Sequence, residues 1–276
     1  MKHLLLAVAA LTLAAVPALA SEATFDRTLS VNGRVELSVS TGSGNIHLTR
    51  GADNQVHIFG KVRSSWGGSD EQVREIAAHP PIEQTGNIVR IGAHHENLHN
   101  ISIDYEIQAP ENVFLDAGSG SGNIIVDGVG QNAKLSTGSG SIHATGLHGG
   151  FTANTGSGTI YAEQTGVGDV KAQTGSGSVE LRNLHGGLRA GTGSGSIKVD
   201  GTPSSEWKLE TGSGSVELSL GNAGITLDAT TGSGSIHSDR DVVTHGESNR
   251  HHLNGTLNGG GPTVRIQTGS GSIRIH

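Results

Sequence analysis

Short runs of alternating apolar and polar residues recur along most of this chain. Phe151-Thr-Ala-Asn-Thr155, Val170-Lys-Ala-Gln-Thr174, Leu188-Arg-Ala-Gly-Thr192 and Trp207-Lys-Leu-Glu-Thr211 share one pattern. Side chains alternate sides of a strand, so the first, third and fifth positions face one way. A second, shorter run follows each: Ile142-His-Ala144, Ile160-Tyr-Ala162, Val179-Glu-Leu181, Ile197-Lys-Val199 and Val216-Glu-Leu218. Its outer positions are again apolar, which predicts two strands per unit with both apolar faces turned inward. No stretch of the repeat region has a 3.6-residue apolar period, and each Gly would cost a helix about 1 kcal/mol.

Between the two strands stands Thr-Gly-Ser-Gly. It occurs eight times, starting at Thr41, Thr137, Thr155, Thr174, Thr192, Thr211, Thr231 and Thr268. From Thr137 to Thr231 the steps are 18, 19, 18, 19 and 20 residues. A period of this length marks one supersecondary unit stacked on itself. Each unit buries too little to fold alone, but stacking makes continuous inward columns. In sequence order one column is Ala133, Phe151, Val170, Leu188, Trp207, Ile225, Val264, and the other is Ile142, Ile160, Val179, Ile197, Val216, Ile236, Ile273. The expected fold is all-β: a right-handed parallel β-helix, or β-solenoid, with about 18–20 residues per coil. The inward set changes parity between Thr137 and Ile142, so the turn must bend. Glycines there, Gly193 and Gly195 among them, are expected to supply positive φ.

Residues 21–110 are less regular and read as an N-terminal cap with the first coils, ahead of regular repeats over 111–276. Val35 to Ile46 reads as one coil. Ser69 to Ala78 predicts a short helix, with Ser69 and Gln72 as a capping box and Pro80 and Pro81 beyond its end. Ile101 to Ile107 alternates as a strand. Residues 1–20 carry Lys2, an apolar stretch from Leu4 to Val16, and Ala18-Leu19-Ala20, the pattern of a signal peptide cleaved near Ala20. The chain is therefore expected to be exported, to the periplasm, the cell surface or the medium, with no transmembrane segment after cleavage. It has no Cys, so packing and hydrogen bonds must hold it.

The signal-like start, the lead-in through Tyr105-Glu-Ile-Gln-Ala-Pro110 and the T-G-S-G-S-I repeats resemble a bacterial family of β-strand-repeat proteins labelled as proposed adhesins. The resemblance covers nearly all of residues 30–276. It implies surface interaction and brings no catalytic residues with it.

The 44 Gly are about twice the usual share but lack a Gly-X-Y period, which excludes collagen. The formal charge of −7 argues against a general nucleic-acid binder. Gly128-Val-Gly130-Gln-Asn-Ala133 loosely matches a dinucleotide fingerprint, but a strand pattern follows where a helix is needed. Gly-Ser-Gly-Ser is not a nucleophile elbow. His94, His95, Glu96 and His99, and separately His245, His251 and His252, invite a metal reading, but converging ligands are not evident from their spacing. His47, His143 and His237 share one outward position and read as surface rungs. No cofactor or metal is implied.

A carbohydrate-active β-helix, lyase or hydrolase-like, is the enzyme alternative. It would need two carboxylates facing each other across a cleft. The outward acids Glu163, Asp200, Glu180 and Glu217 are candidates, but Glu180, Lys198 and Glu217 read as an alternating charge ladder. Trp207 falls on the inward column, where it cannot serve as a sugar platform. Ice binding by stacked Thr is disfavoured because the Thr column also points inward. The better reading is a non-enzymatic adhesin-like binding or scaffold protein. Its candidate binding residues are Lys134, Lys171, Arg189 and Lys208, at one outward position of a series that also includes Thr152 and Thr226. Neighbouring like charges repel, so this stripe suits an anionic polysaccharide or another anionic cell-envelope component. Its structural counterpart is a solubilising face that discourages edge association.

Overall fold

The computed structural model describes residues 22–64, 69–92, 100–246 and 248–276. Residues 1–20 and Trp66 lie outside them. The described strands join in one sheet that folds over itself into a solenoid-like stack.

Each repeat contributes to two faces. On the first, Val113–Ser119, Asn132–Thr137, Phe151–Thr155 and Val170–Thr174 pair in parallel, followed by the second halves of Val179–Thr192 and Ile197–Thr211. On the second, Ile46–Arg50, Ile124–Asp127, Ile142–Leu147, Ile160–Gln164, the first halves of the same two long strands, and Val216–Ser219 pair likewise. The period-two pattern has the predicted consequence. Val170, Ala172 and Thr174 are buried while Lys171 and Gln173 are exposed. The inward column runs Leu115, Ala133, Phe151, Val170, Leu188, Trp207 in register. Trp207 is fully buried, and its indole Nε1 donates to the Gly186 carbonyl at 2.8 Å.

The Thr-Gly-Ser-Gly turn works as a corner joint. Thr155 Oγ1 donates to the Gly140 carbonyl of the preceding coil at 2.7 Å and accepts from Gly158 N of its own turn at 3.1 Å. Thr137, Thr174, Thr192, Thr211 and Thr268 repeat the same pair of contacts or its donating half. These hydroxyls are buried and bond to backbone rather than to one another.

The glycines of this joint serve a different purpose from the one the parity argument predicts. Gly193 and Gly195 are absent from the positive-φ glycines, as are the corresponding glycines of the other Thr-Gly-Ser-Gly turns. What demands glycine is close approach. A Cβ on Gly195 would lie 2.0 Å from the Gly177 carbonyl oxygen, and one on Gly193 would lie 2.4 Å from that of Gly175. The coils meet backbone to backbone at the corner, and any side chain would pry them apart.

Both ends depart from sequence order. Thr263–Thr268 lies between Ile197–Thr211 and Ile225–Thr231, and Ile273–Ile275 lies between Val216–Ser219 and Ile236–Ser238. Trp207 is therefore followed by Val264 and then Leu227; Ile225 is buried but holds no place in this column, and Ile273 precedes Ile236. The intervening strand His252–Leu257 pairs antiparallel with Ile225–Thr231 and closes that edge. At the other end Val35–Thr41 sits between Ile88–Ile91 and Val113–Ser119. Glu22–Ser30, Gln55–Ser64 and Ile101–Ala109 form an antiparallel cap beside it. The helix Asp70–Ala78 packs there, with Ser69 Oγ accepting from Gln72 N as the capping pattern predicts. Tyr105 closes the core against Phe25, with ring centroids 6.3 Å apart, and burial pushes its phenol pKa up.

Three outcomes follow for stability and register. Trp207→Ala should destabilise by ~3–5 kcal/mol in denaturant unfolding; a change under about 0.5 kcal/mol would contradict its buried, bonded position. Gly195→Ala should cost ~1–3 kcal/mol, whereas Gly42→Ala, where a Cβ meets nothing within 4 Å, should fall within about 0.5 kcal/mol. In this Cys-free chain, Glu210→Cys with Gln267→Cys should crosslink on oxidation, because the two positions are register partners. Glu210→Cys with Thr230→Cys, the pair implied by sequence order, should not.

Candidate functional site

The four basic residues singled out from the repeat share one outward column. Along it, Asp116, Lys134, Thr152, Lys171, Arg189 and Lys208 are consecutive register partners, followed by Arg265 and Asp228. Adjacent rungs are ~4.8 Å apart. Thr226 is not in the column; its rung places Asp228 there. Arg265 is the member missed by reading coils in order. The signal was present, because Arg265 stands three residues before Thr268 as Lys208 stands before Thr211.

The column is not uniformly basic in effect. Lys134 Nζ lies 3.0 Å from Asp116, and Lys208 Nζ lies 2.8 Å from Glu210. Arg265 reaches Asp228 at 3.2 Å and Glu206 at 3.3 Å. Lys171 and Arg189, in the middle, are exposed, and among the described residues neither makes an ion pair. Beside them lies a hollow of about 380 Å³ lined by Thr152, Asp169, Lys171, Arg189, Ser205 and Glu206. It adjoins a longer groove of about 890 Å³ whose walls include Glu36, Phe114, Asp116, Asn132, Lys134 and Asp169. Arg34 lies over the Phe114 ring, 4.3 Å from its centroid.

The opposite face carries a second outward column. His47, Ile125, His143, Tyr161, Glu180, Lys198, Glu217, Arg274 and His237 follow one another in register. The three histidines are therefore surface rungs, as their shared position predicts. His143 stacks on Tyr161 at 4.6 Å, and Lys198 bridges to Glu217 at 3.1 Å. Arg182 holds Glu180 at 2.6 Å, and that hydrogen bond pushes the guanidinium pKa further up. Glu163 accepts from Asn183 at 2.9 Å. The acids weighed as catalytic are thus engaged along the ladder or with backbone and amide groups.

His94, His95, Glu96 and His99 lie outside the described residues. His245 and His252 contact Thr256 and Thr230, and His251 contacts Arg250. No group of three or more His, Cys, Asp or Glu placed to hold a metal occurs among the described residues. His237 and His276 both reach Asp239, at 2.9 and 2.6 Å, and the His276 hydrogen bond lowers the Asp239 pKa. The segment after Gly128 and Gly130 is the strand Asn132–Thr137, so the dinucleotide fingerprint lacks its helix. Among the described residues no helix is long and apolar enough to cross a membrane.

Residues 30–276 match the family described as Toastrack DUF4097. Among solved structures, a proposed cell adhesion protein of Clostridium sporogenes is similar at 14% identity and a TM-score of 0.27, over 92% of this chain and 98% of that one. A proposed adhesin of Parabacteroides distasonis matches at 12% identity and 0.36, over 92% and 97%. A proposed lipid binding protein of the same organism matches at 13% and 0.32, over 92% and 96%. Superpositions this loose carry no argument about what the chain binds. No curated protein matches.

Proposed function

The chain belongs to the Toastrack family, and from that premise we propose that it is a non-enzymatic, adhesin-like binding scaffold that holds an anionic cell-envelope polymer against its first face. The observation that carries this reading is the Lys171–Arg189 pair, two uncompensated cations on adjacent rungs of a net-acidic chain. Like charges at that spacing repel, and relief by an anionic partner gives the arrangement a use. A rigid stack suits the task, since its outward side chains are held at fixed intervals. The same reading takes residues 1–20 as a signal peptide removed near Ala20 and places the protein in the periplasm, at the cell surface or outside the cell. It takes the coil as right-handed, following the general preference of parallel connections, and takes residues 21–110 as cap and first coils before the regular repeats of 111–276.

Binding of an acidic polysaccharide to the protein should fall steeply as salt rises, because exposed charges are screened over about 8 Å at physiological ionic strength. The Lys171→Gln, Arg189→Gln, Lys208→Gln variant should lose that binding while its thermal midpoint stays unchanged or rises slightly. Equal binding by wild type and variant would remove the first face as the contact surface.

A further inference from the structure

We infer that the first face recognises a sparsely charged acidic glycan, in which each acidic sugar is flanked by neutral ones, and not a densely charged polyanion or an anionic bilayer. This rests on the proposal above and narrows it to one ligand class. Three observations carry it.

The first is charge distribution. The cations nearest the Lys171–Arg189 pair along the column are occupied, Lys134 by Asp116, Lys208 by Glu210 and Arg265 by Asp228 and Glu206. The exposed Arg90 stands on the same column but five rungs from Lys171, beyond Thr152, Lys134, Asp116 and Ser38. A ligand charged at every step would gain two cations in the centre and then meet those carboxylates on either side. Like-charge juxtaposition of that kind costs affinity and serves to exclude wrong partners. Around this pair the room for negative charge is two rungs long.

The second is shape. The two free cations border the hollow of about 380 Å³, which runs into the groove of about 890 Å³ through shared walls at Thr152 and Asp169. A ligand segment can lie in such a trough, whereas a flat bilayer surface cannot follow it.

The third is the chemistry of the other wall residues of the hollow and the groove. Glu36, Asn132, Gln131 and Asp169 offer planar carboxylate and amide groups, and Thr152 and Ser205 offer hydroxyls. These groups bond sugar hydroxyls, acting as acceptors, or as both donors and acceptors. Carboxylates in a binding wall suit neutral hydroxyl-bearing sugars and oppose a ligand that carries an acidic group on every sugar. The acidic group of the ligand, a uronate carboxylate or an acidic substituent of similar size, then sits at Lys171 and Arg189 as a charge-assisted hydrogen-bonded pair.

The test measures binding of the mature protein, by calorimetry at fixed moderate salt, to three probes. These are an alternating oligosaccharide of uronate and neutral N-acetylhexosamine, a polyuronate of matched length, and vesicles containing phosphatidylglycerol. The alternating oligosaccharide should bind most tightly. Lys171→Gln with Arg189→Gln should weaken it by about tenfold or more, the scale of a lost charge-assisted contact. Asp116→Asn, which releases Lys134, should strengthen binding of the polyuronate. Polyuronate or vesicles binding as tightly as the alternating probe in wild type, or no gain for polyuronate in Asp116→Asn, would overturn this inference and leave the anionic-scaffold proposal standing. Failure of all three probes to bind would overturn both.

Discussion

The corner hydrogen bond from a Thr hydroxyl to a Gly carbonyl of the adjacent coil, made at every Thr-Gly-Ser-Gly turn except that of Thr41, is the interaction on which the stack depends. A hydroxyl buried without a partner costs on the order of 1–3 kcal/mol, while a made bond contributes about 1 kcal/mol net. The Thr hydroxyl avoids the first and gains the second in the same contact, because it also accepts from its own turn. The geometry works only if the coils touch backbone to backbone. Carbonyl oxygens lie where a Cβ of the next coil would be, about 2 Å away at Gly140, Gly195 and Gly271. The corner glycines of most of these turns are thus a packing requirement of stacked coils. Positive φ occurs instead elsewhere, as at the turn glycines Gly33 and Gly86.

That joint sets the spacing of everything outside. With inward positions filled by columns such as Leu115 to Trp207, the outward positions become columns of equal pitch. Residue identity in one column then decides whether a face is neutralised or left with net charge. On the second face alternation of Glu180, Lys198, Glu217 and Arg274 gives local compensation. On the first, ion pairs hold Lys134, Lys208 and Arg265, while Lys171 and Arg189 stand open on adjacent rungs. The difference is local, one residue per coil, and leaves two adjacent cations without an ion pair among the described residues.

Parallel stacking leaves two open edges, and the ends deal with them by a change of pairing. Glu22–Ser30, Gln55–Ser64 and Ile101–Ala109 turn antiparallel at one end, as does His252–Leu257 at the other. At the C-terminal end the chain skips a rung, builds its cap and returns to fill it. At the N-terminal end it fills the enclosed rung before it lays Ile88–Ile91 and Ile101–Ala109 outside it, and then passes on to Val113–Ser119 and Ile124–Asp127. The closing strand is thereby enclosed between coils, which covers edges that would otherwise be templates for another chain.

Most of the architecture was legible in the residues because the relevant physics is local and repeated. Alternation assigned Phe151, Val170, Leu188 and Trp207 to the interior, the repeat period assigned the stacking, and Ser69 located the helix start. Lys134, Lys171, Arg189 and Lys208 fell on one column for the same reason. What required the tertiary structure is non-local. The corners at Thr231 and Thr268 are chemically alike, so nothing in either says which stacks on Thr211; the antiparallel cap between them decides it, and with it the place of Arg265 beside Lys208. The reason for glycine at the corner, close approach and not backbone handedness, also appears only when two coils are in contact. So does the pairing of Lys134 with Asp116 and Lys208 with Glu210, which singles out Lys171 and Arg189 as the open pair.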